Sequence, residues 1–306
     1  MKNKMLPFLF STLVLAGCST IQENVANVDQ ADLRYLPDWR LGNIQEKKDP
    51  ELHRRERDFA RFSWSYAIAS DVVYEDAEHI PFAENETWTQ LDIDQEDLLS
   101  TGFYGKSWVR TLPDNTSELV VSFRGTDSAV DFFRGNFVFV PYIFGTTQFD
   151  AAMQFTDDAI SAAKKQHIGY SKLVLVGHSL GGGLAQYVQP FKENSLAVVF
   201  NPSPNKGRIY SLFSSHVSDI NAVRLYEDGE ALEFVRWLAL DFDIEPDQSP
   251  MEEGERTIWL DFFTSGAFEG HGIKDFTMAL VKLAAEDGDT EAKSVVDVLK
   301  KRRKEG

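Results

Sequence analysis

The sequence predicts an α/β fold in which a central, mostly parallel sheet carries helices on both faces. Two observations predict it. Short apolar runs of strand length alternate with amphipathic stretches of helix length through the middle of the chain, and one run, 173–176, leads straight into a glycine-flanked serine and an Ala/Leu-bearing helix. Strands that are apolar throughout, without alternation, belong in a sheet covered on both sides.

The chain divides into three parts, a signal over 1–17, a tether over 18–50 and a globular domain over 51–306. Lys2 and Lys4 precede an apolar run from Met5 to Ala16 that ends in small residues, the pattern of an export signal and too short to span a bilayer. Leu15-Ala16-Gly17-Cys18 resembles the lipobox of bacterial lipoproteins, in which cleavage precedes the cysteine and its thiol receives a diacylglyceryl group. Cys18 is the chain's single cysteine, so neither an intrachain disulfide nor a cysteine-based zinc cluster can form. The other reading is an ordinary secretory signal in which Cys18 has no role. Ser19 follows the cysteine, and by resemblance to Gram-negative lipoproteins that implies an exported protein lipid-anchored to the bacterial outer membrane. The tether is polar, mixed in charge and without sustained periodicity.

Within the domain, Phe59, Phe62, Tyr66, Ile68, Ala69 and Val73 recur at helical intervals and predict a helix over 54–74. Stretches 101–111 and 118–124 are rich in β-branched and aromatic residues and flank Pro113-Asp114-Asn115, whose turn chemistry predicts a hairpin. Over 151–166, Ala152, Phe155, Ala159, Ala162 and Ala163 share one face while Asp157, Asp158, Lys164 and Lys165 fall elsewhere, as an amphipathic helix requires. Strands are expected at 173–176, 197–200 and 220–226, and helices over 184–191 and 276–283. The basic run Lys300-Lys301-Arg302-Arg303-Lys304 reads as a solvated helix end, favourable to the helix dipole.

The 306 residues, 43% of them hydrophobic, suffice for one domain of enzyme size. With 48 acidic residues against 31 Lys and Arg, attraction to phosphate polyanions is disfavoured, which argues against nucleic acid as a partner.

Gly177-His178-Ser179-Leu180-Gly181 has the form G-x-S-x-G between a strand and a helix, the nucleophile elbow of the α/β-hydrolase fold. Such a turn must push the hydroxyl into solvent, and glycines at 177 and 181 remove side chains that would clash within it. The helix N-terminus behind Ser179 offers N–H groups to a developing oxyanion. A serine hydroxyl needs a base, and the base an orienting carboxylate, in the chain order serine, acid, histidine. Of the six histidines, His53, His79 and His167 precede the serine, His178 adjoins it, and His216 leaves too little chain for a further strand and an acid-bearing loop. His271 remains, in Gly270-His271-Gly272; the bland alternative is a surface loop histidine. The acid is expected on the loop after strand 220–226, which offers Glu227, Asp228 and Glu230. Glu230 is preferred, just beyond a glycine and before apolar residues, with Asp228 second. Phe123-Arg124-Gly125-Thr126 supplies a second strand end, where Gly125 permits close approach and Thr126 offers N–H and hydroxyl. The N–H of Leu180 completes the oxyanion pair.

From Arg54 to Leu283 these residues resemble the class 3 lipases, the family that includes the fungal triacylglycerol lipases. Phe123-Arg124-Gly125-Thr126 resembles its oxyanion strand, Asp131-Phe132-Phe133 the step after it, and Gly177-His178-Ser179-Leu180-Gly181-Gly182 its elbow. Val199-Phe200-Asn201-Pro202 is similar to the strand end that follows, and His271 with Phe276 to its histidine block. The resemblance implies Ser179 as nucleophile, His271 as base, and Thr126 with Leu180 as oxyanion donors. The family carries aspartate where Glu230 aligns, a departure of one methylene. Between Asp131 and Gly145, Phe132, Phe133, Phe137, Phe139, Tyr142 and Phe144 fall where the family builds or precedes its lid; they line an acyl groove or touch membrane, or else are core.

The expected activity is hydrolysis of a lipid carboxylic ester, acylglycerol or phospholipid, through an acyl-enzyme, with no metal and no cofactor. Two other readings stay open: an acyltransferase on the same scaffold, and a catalytically inactive lipoprotein that binds lipid. An acidic body is repelled by anionic headgroups, so membrane residence is expected to come from lipid on Cys18.

Overall fold

A computed structural model describes residues 50–74, 87–125, 147–203, 221–227, 255–260 and 272–305. The signal and tether, the aromatic stretch 131–145, and Cys18, Thr126, Asp228, Glu230 and His271 lie outside the described residues.

Seven strands form one sheet whose spatial order follows the chain: β1 (Thr87–Leu91), β2 (Gly105–Thr111), β3 (Ser117–Phe123), β4 (Lys172–His178), β5 (Ser195–Phe200), β6 (Ala222–Glu227) and β7 (Glu255–Leu260). β1–β2 and β2–β3 are antiparallel, and every pair from β3 to β7 is parallel. The predicted hairpin is therefore present, the predicted strands at 173–176 and 197–200 lie within β4 and β5, and the one at 220–226 overlaps β6, which runs from Ala222 to Glu227. At the hairpin tip Asn115 takes φ 64, which asparagine tolerates. Thr116 donates its amide and hydroxyl to Asp114, and these bonds, the hydroxyl's first, hold that carboxyl below the usual carboxylate range.

Helices cover both faces, as the unbroken apolar character of β4 and β5 requires. On one face α1 (Pro50–Val72), α5 (Ile273–Glu286) and the first turns of α6 (Thr290–Glu305) pack over Val120, Val174, Val176, Val198, Phe200, Val223 and Leu225. On the other, α3 (Thr147–Lys165) and α4 (Leu180–Val188) cover Leu119, Val121, Phe123, Leu173, Leu175, Ala197 and Val199. Alternate residues of each strand thus feed two separate cores. A one-turn α2 (Glu96–Leu99) links β1 to β2. From Ser63 to Val73 every residue of α1 and its end is buried, because α1 packs against both the sheet and α5.

At the edge of the sheet away from the carboxyl ends, Arg110 of β2 and Glu118 of β3 form a buried pair 3.4 Å apart. The Tyr66 hydroxyl donates to the same carboxylate oxygen at 2.8 Å, and the guanidinium lies over the Tyr66 and Trp88 rings at 5.0 and 5.2 Å. A polar cluster of this kind locks α1 to the hairpin.

Together, the sheet order, the two-sided cover and the serine turn described below constitute an α/β-hydrolase fold, as the sequence predicts.

Candidate active site

The parallel strands end side by side at Phe123, His178, Phe200, Glu227 and Leu260, and chemistry in open α/β sheets gathers along such an edge. Ser179 stands at its centre, between β4 and α4, with φ 55 and ψ −123. A serine at positive φ is strained by about 1–3 kcal/mol, and the turn persists only because its surroundings hold it. The Ser179 N–H donates to the Phe200 carbonyl at 3.1 Å, while its own carbonyl accepts the N–H of Gly183 at 3.1 Å and of Ser203 at 2.9 Å. A Cβ on Gly177 would collide with the Gly181 carbonyl, and one on Gly181 with the Phe123 carbonyl. The elbow is therefore clamped between the ends of β3 and β5 at backbone contact.

That conformation frees the hydroxyl. Ser179 occupies the N-cap position of α4 yet makes no side-chain cap, although serine ordinarily does so there. Among the described residues its Oγ has no hydrogen bond, and its 8% exposure leaves it reachable from the carboxyl edge. Helix geometry leaves the N–H groups of Leu180, Gly181 and Gly182 without intrahelical acceptors, so the donor end of α4 opens directly behind the serine.

On one flank, Gly125 follows the end of β3 and donates its N–H to the Tyr74 hydroxyl at 2.9 Å. Thr126, the expected oxyanion donor, is the next residue and lies outside the described residues. On the other flank, Asn201 takes φ 42 at the end of β5, and its Oδ1 accepts the N–H of Glu227 at 2.8 Å. Glu227 is 1% exposed and by strand alternation shares the face of Val223 and Leu225, the face that α5 covers. Sequence reasoning set Glu227 behind Glu230 and Asp228; burial at the edge of the sheet makes it a third contender for the acid.

Helix α5 begins two residues after His271, the expected base. Its Phe276 ring lies edge-on to Phe200, centroids 6.0 Å apart, and the Phe276 N–H returns to the Gly272 carbonyl at 3.1 Å. Phe200 is the residue whose carbonyl holds the serine's amide. His271, the residue before Gly272, lies outside the described residues.

Two residues escaped the sequence reading. Tyr74 carries no motif and reads as one more aromatic of α1. Arg124, seen only as part of the oxyanion strand, holds its guanidinium 4.8 Å over the Tyr104 ring and has no ion-pair partner among the described residues. No cluster of His, Cys, Asp or Glu that could hold a metal occurs among the described residues, and none of their helices is long and apolar enough to cross a membrane.

Residues 65–240 match the family model described as a Tle-like phospholipase domain, of the phospholipase-like group. The chain belongs to this family. The Tle-like domain takes in Tyr74, the Gly125 turn, the serine elbow and the acid loop, and His271 lies beyond it. Membership bears out the lipase and esterase side of the sequence resemblance. No curated protein matches the chain. Among solved structures it is similar to the monoclinic form of an esterase from Pyrobaculum calidifontis, at 12% identity over 86% of this chain and 98% of that one, with a TM-score of 0.36. It is also similar to EstE1, a thermostable carboxylesterase from a metagenomic library, at 13% identity over 81% and 97%, TM-score 0.34. A third is the Francisella virulence factor BioJ, at 10% identity over 85% and 96%, TM-score 0.34. These superpositions are loose, and the Tle-like domain's fold rests on its own sheet and elbow.

Proposed function

We propose that the protein is a serine hydrolase of lipid carboxylic esters, acting through an acyl-enzyme in the manner of the class 3 lipases. The observation that carries this reading is the backbone of Ser179, strained at positive φ and capping nothing, with the donor end of α4 behind it. Ser179 Oγ attacks the ester carbonyl carbon while its proton passes to His271. The oxyanion so formed accepts the N–H groups of Leu180 and Thr126. Collapse of the tetrahedral intermediate breaks the bond to the alcohol, which leaves with the proton from His271. Water then attacks the acyl-serine by the same route in reverse, releasing the fatty acid and restoring the hydroxyl. Glu230, or Asp228, orients the imidazole.

Among lipid esters, a phospholipid is favoured. The family supports it, and Arg124 offers a planar cation one residue before Gly125, stacked on Tyr104 and without a carboxylate partner among the described residues. Guanidinium groups in that state bind phosphate oxygens bidentately. Lipid on Cys18 would hold the domain at the membrane, and residues 18–50 would span the gap.

The test is fluorophosphonate labelling and phospholipid-vesicle hydrolysis by wild type and Ser179→Ala. The wild type should label and release fatty acid, and the variant should do neither. Hydrolysis that survives the substitution would sink the proposal; transfer of the acyl group to added glycerol in preference to water would turn it into the acyltransferase.

A further inference from the structure

Tyr74 follows the last turn of α1, its N–H bonded to the Asp71 carbonyl at 3.1 Å. Its hydroxyl joins two segments that are distant in the chain and adjacent at the carboxyl edge. It accepts the Gly125 N–H at 2.9 Å and lies 3.2 Å from Nδ1 of His178, the residue immediately before Ser179. The His178 carbonyl is 3.5 Å away, at the limit of a hydrogen bond. A phenol has one proton to give. Having accepted from Gly125, it has Nδ1 as its nearer acceptor, which requires the His178 tautomer protonated on Nε2. The contact is also tight in the steric sense. A Cβ on Gly125 would fall onto the Tyr74 hydroxyl and within 2.6 Å of the His178 carbonyl, and would lie 3.4 Å from the Gly181 amide nitrogen.

An oxyanion hole assembled from two segments works only if both donors are held at fixed separation before the charge develops. Here one donor, Leu180, belongs to the elbow, and the other, Thr126, belongs to the turn after β3. Tyr74 has consumed the Gly125 N–H, so that amide is not available as an oxyanion donor, and the proposed donor Thr126 is the residue directly after the pinned one. With its nitrogen held by Tyr74 and no room for a side chain at its Cα, Gly125 starts the turn into residue 126 from a fixed point against the elbow.

We propose that Tyr74 is a positioning residue of the oxyanion hole, its hydroxyl pinning the Gly125 turn to His178 so that the Thr126 and Leu180 donors are preset. This rests on the serine-hydrolase reading. Removing one oxyanion donor costs roughly 10²–10³-fold in turnover, and loosening one without removing it costs less.

The experiment compares wild type, Tyr74→Phe, His178→Leu and the double variant, as full-length proteins, with kcat counted per fluorophosphonate-titrated site. Tyr74→Phe keeps the ring and removes only the oxygen. Its kcat should fall about 10- to 100-fold with KM within about twofold, and an alkyl boronic acid, whose tetrahedral adduct fills the hole, should bind more weakly by the factor lost in kcat. His178→Leu should do the same in smaller measure, and the double variant should lose no more than Tyr74→Phe alone. Unchanged kcat and boronate affinity in Tyr74→Phe, or independent, multiplying losses in the double variant, would overturn the pin. Should Tyr74→Phe fail to fold, the His178→Leu kcat and boronate measurements decide by the same criterion. Ser179→Ala run alongside separates the two levels of inference: hydrolysis persisting in it removes the serine-hydrolase reading itself, whereas an inactive Ser179→Ala beside a fully active Tyr74→Phe removes the pin alone.

Discussion

Phe276 in the first turn of α5 meets Phe200 at the end of β5 edge to face, with centroids 6.0 Å apart and planes at 66°. Both rings are fully buried, and Phe200 is the residue whose carbonyl holds the Ser179 amide. One aromatic contact therefore docks the helix that follows His271 against the strand that braces Ser179. Phe276→Ala is expected to cost about 3–5 kcal/mol in stability through the cavity it leaves. If His271 is the base as proposed, the substitution should also lower kcat/KM by more than the folded fraction accounts for, since the helix directly after it loses its packing. Chemical denaturation with kinetics at a temperature where the variant is folded checks both, and normal turnover in the folded variant would detach the histidine from this contact.

Gly181 touches the Phe123 carbonyl so closely that no side chain fits. Gly181→Ala must push α4 away from the end of β3, moving the Leu180 amide, a proposed oxyanion donor, relative to that strand end. Turnover should fall by at least about 10²-fold, the scale of losing one oxyanion donor, while circular dichroism keeps its α/β signature. Near-normal activity would show that the two strand ends need not touch.

The Arg110–Glu118 pair stands at the opposite end of the strands from the serine, and its contributions should separate from catalysis. Glu118→Ala strands a guanidinium that is 9% exposed and still wedged between two rings, and breaking a buried pair from one side costs about 3–5 kcal/mol. Arg110→Met with Glu118→Leu removes both charges and should recover most of that loss. Denaturation midpoints read the difference, and kcat per titrated site should be unchanged in both.

The sheet from β2 to β6, α1 and α3 to α5 were legible because each is a clean period-2, continuous or 3.6-residue apolar pattern. β1, with only Leu91 buried, is a half-exposed edge strand whose polar TWTQL carries no such signal; β7 begins Glu255-Arg256-Thr257, and its charged start hid it. Ser179 was legible for a backbone reason, since its glycines are required by contacts as close as any in the fold. Tyr74 was not, because nothing in a helical run of aromatics distinguishes a ring that fills space from one whose hydroxyl reaches two other segments. Glu227 sits between these cases. Its position at a strand end was visible, but the burial that makes it a rival to Asp228 and Glu230 arises only in the packed fold.

If Arg124 binds the phosphate as proposed, a body of net charge −17 should favour lipids whose headgroup pairs that phosphate with a cation. At low ionic strength phosphatidylethanolamine vesicles should be hydrolysed faster than phosphatidylglycerol vesicles, and the gap should narrow by 1 M salt, where the Debye length is ~3 Å. Arg124→Gln should raise KM for phospholipid about tenfold and that for a neutral p-nitrophenyl ester much less. An equal effect on both esters would assign Arg124 to support of the turn, with no role in headgroup binding.

The acid of the proposed triad can be assigned by charge removal at constant shape. Glu230→Gln, Asp228→Asn and Glu227→Gln each keep the side-chain volume and delete the carboxylate that would stabilise the imidazolium of His271. Loss at the true acid should be near 10⁴-fold in kcat, the scale seen when a triad carboxylate becomes its amide, with KM little changed. At a solvated turn carboxylate the loss should be under about threefold. Glu227 has a third outcome open to it, because its backbone amide is tied to Asn201 and its side chain is buried. If it only supports the edge, Glu227→Gln should lower the melting temperature and leave kcat per titrated site intact; if it is the acid, kcat should collapse while the melting temperature holds. Near-normal turnover in all three variants would mean that His271 works without a carboxylate from the loop after β6, and would remove that loop from the proposed site.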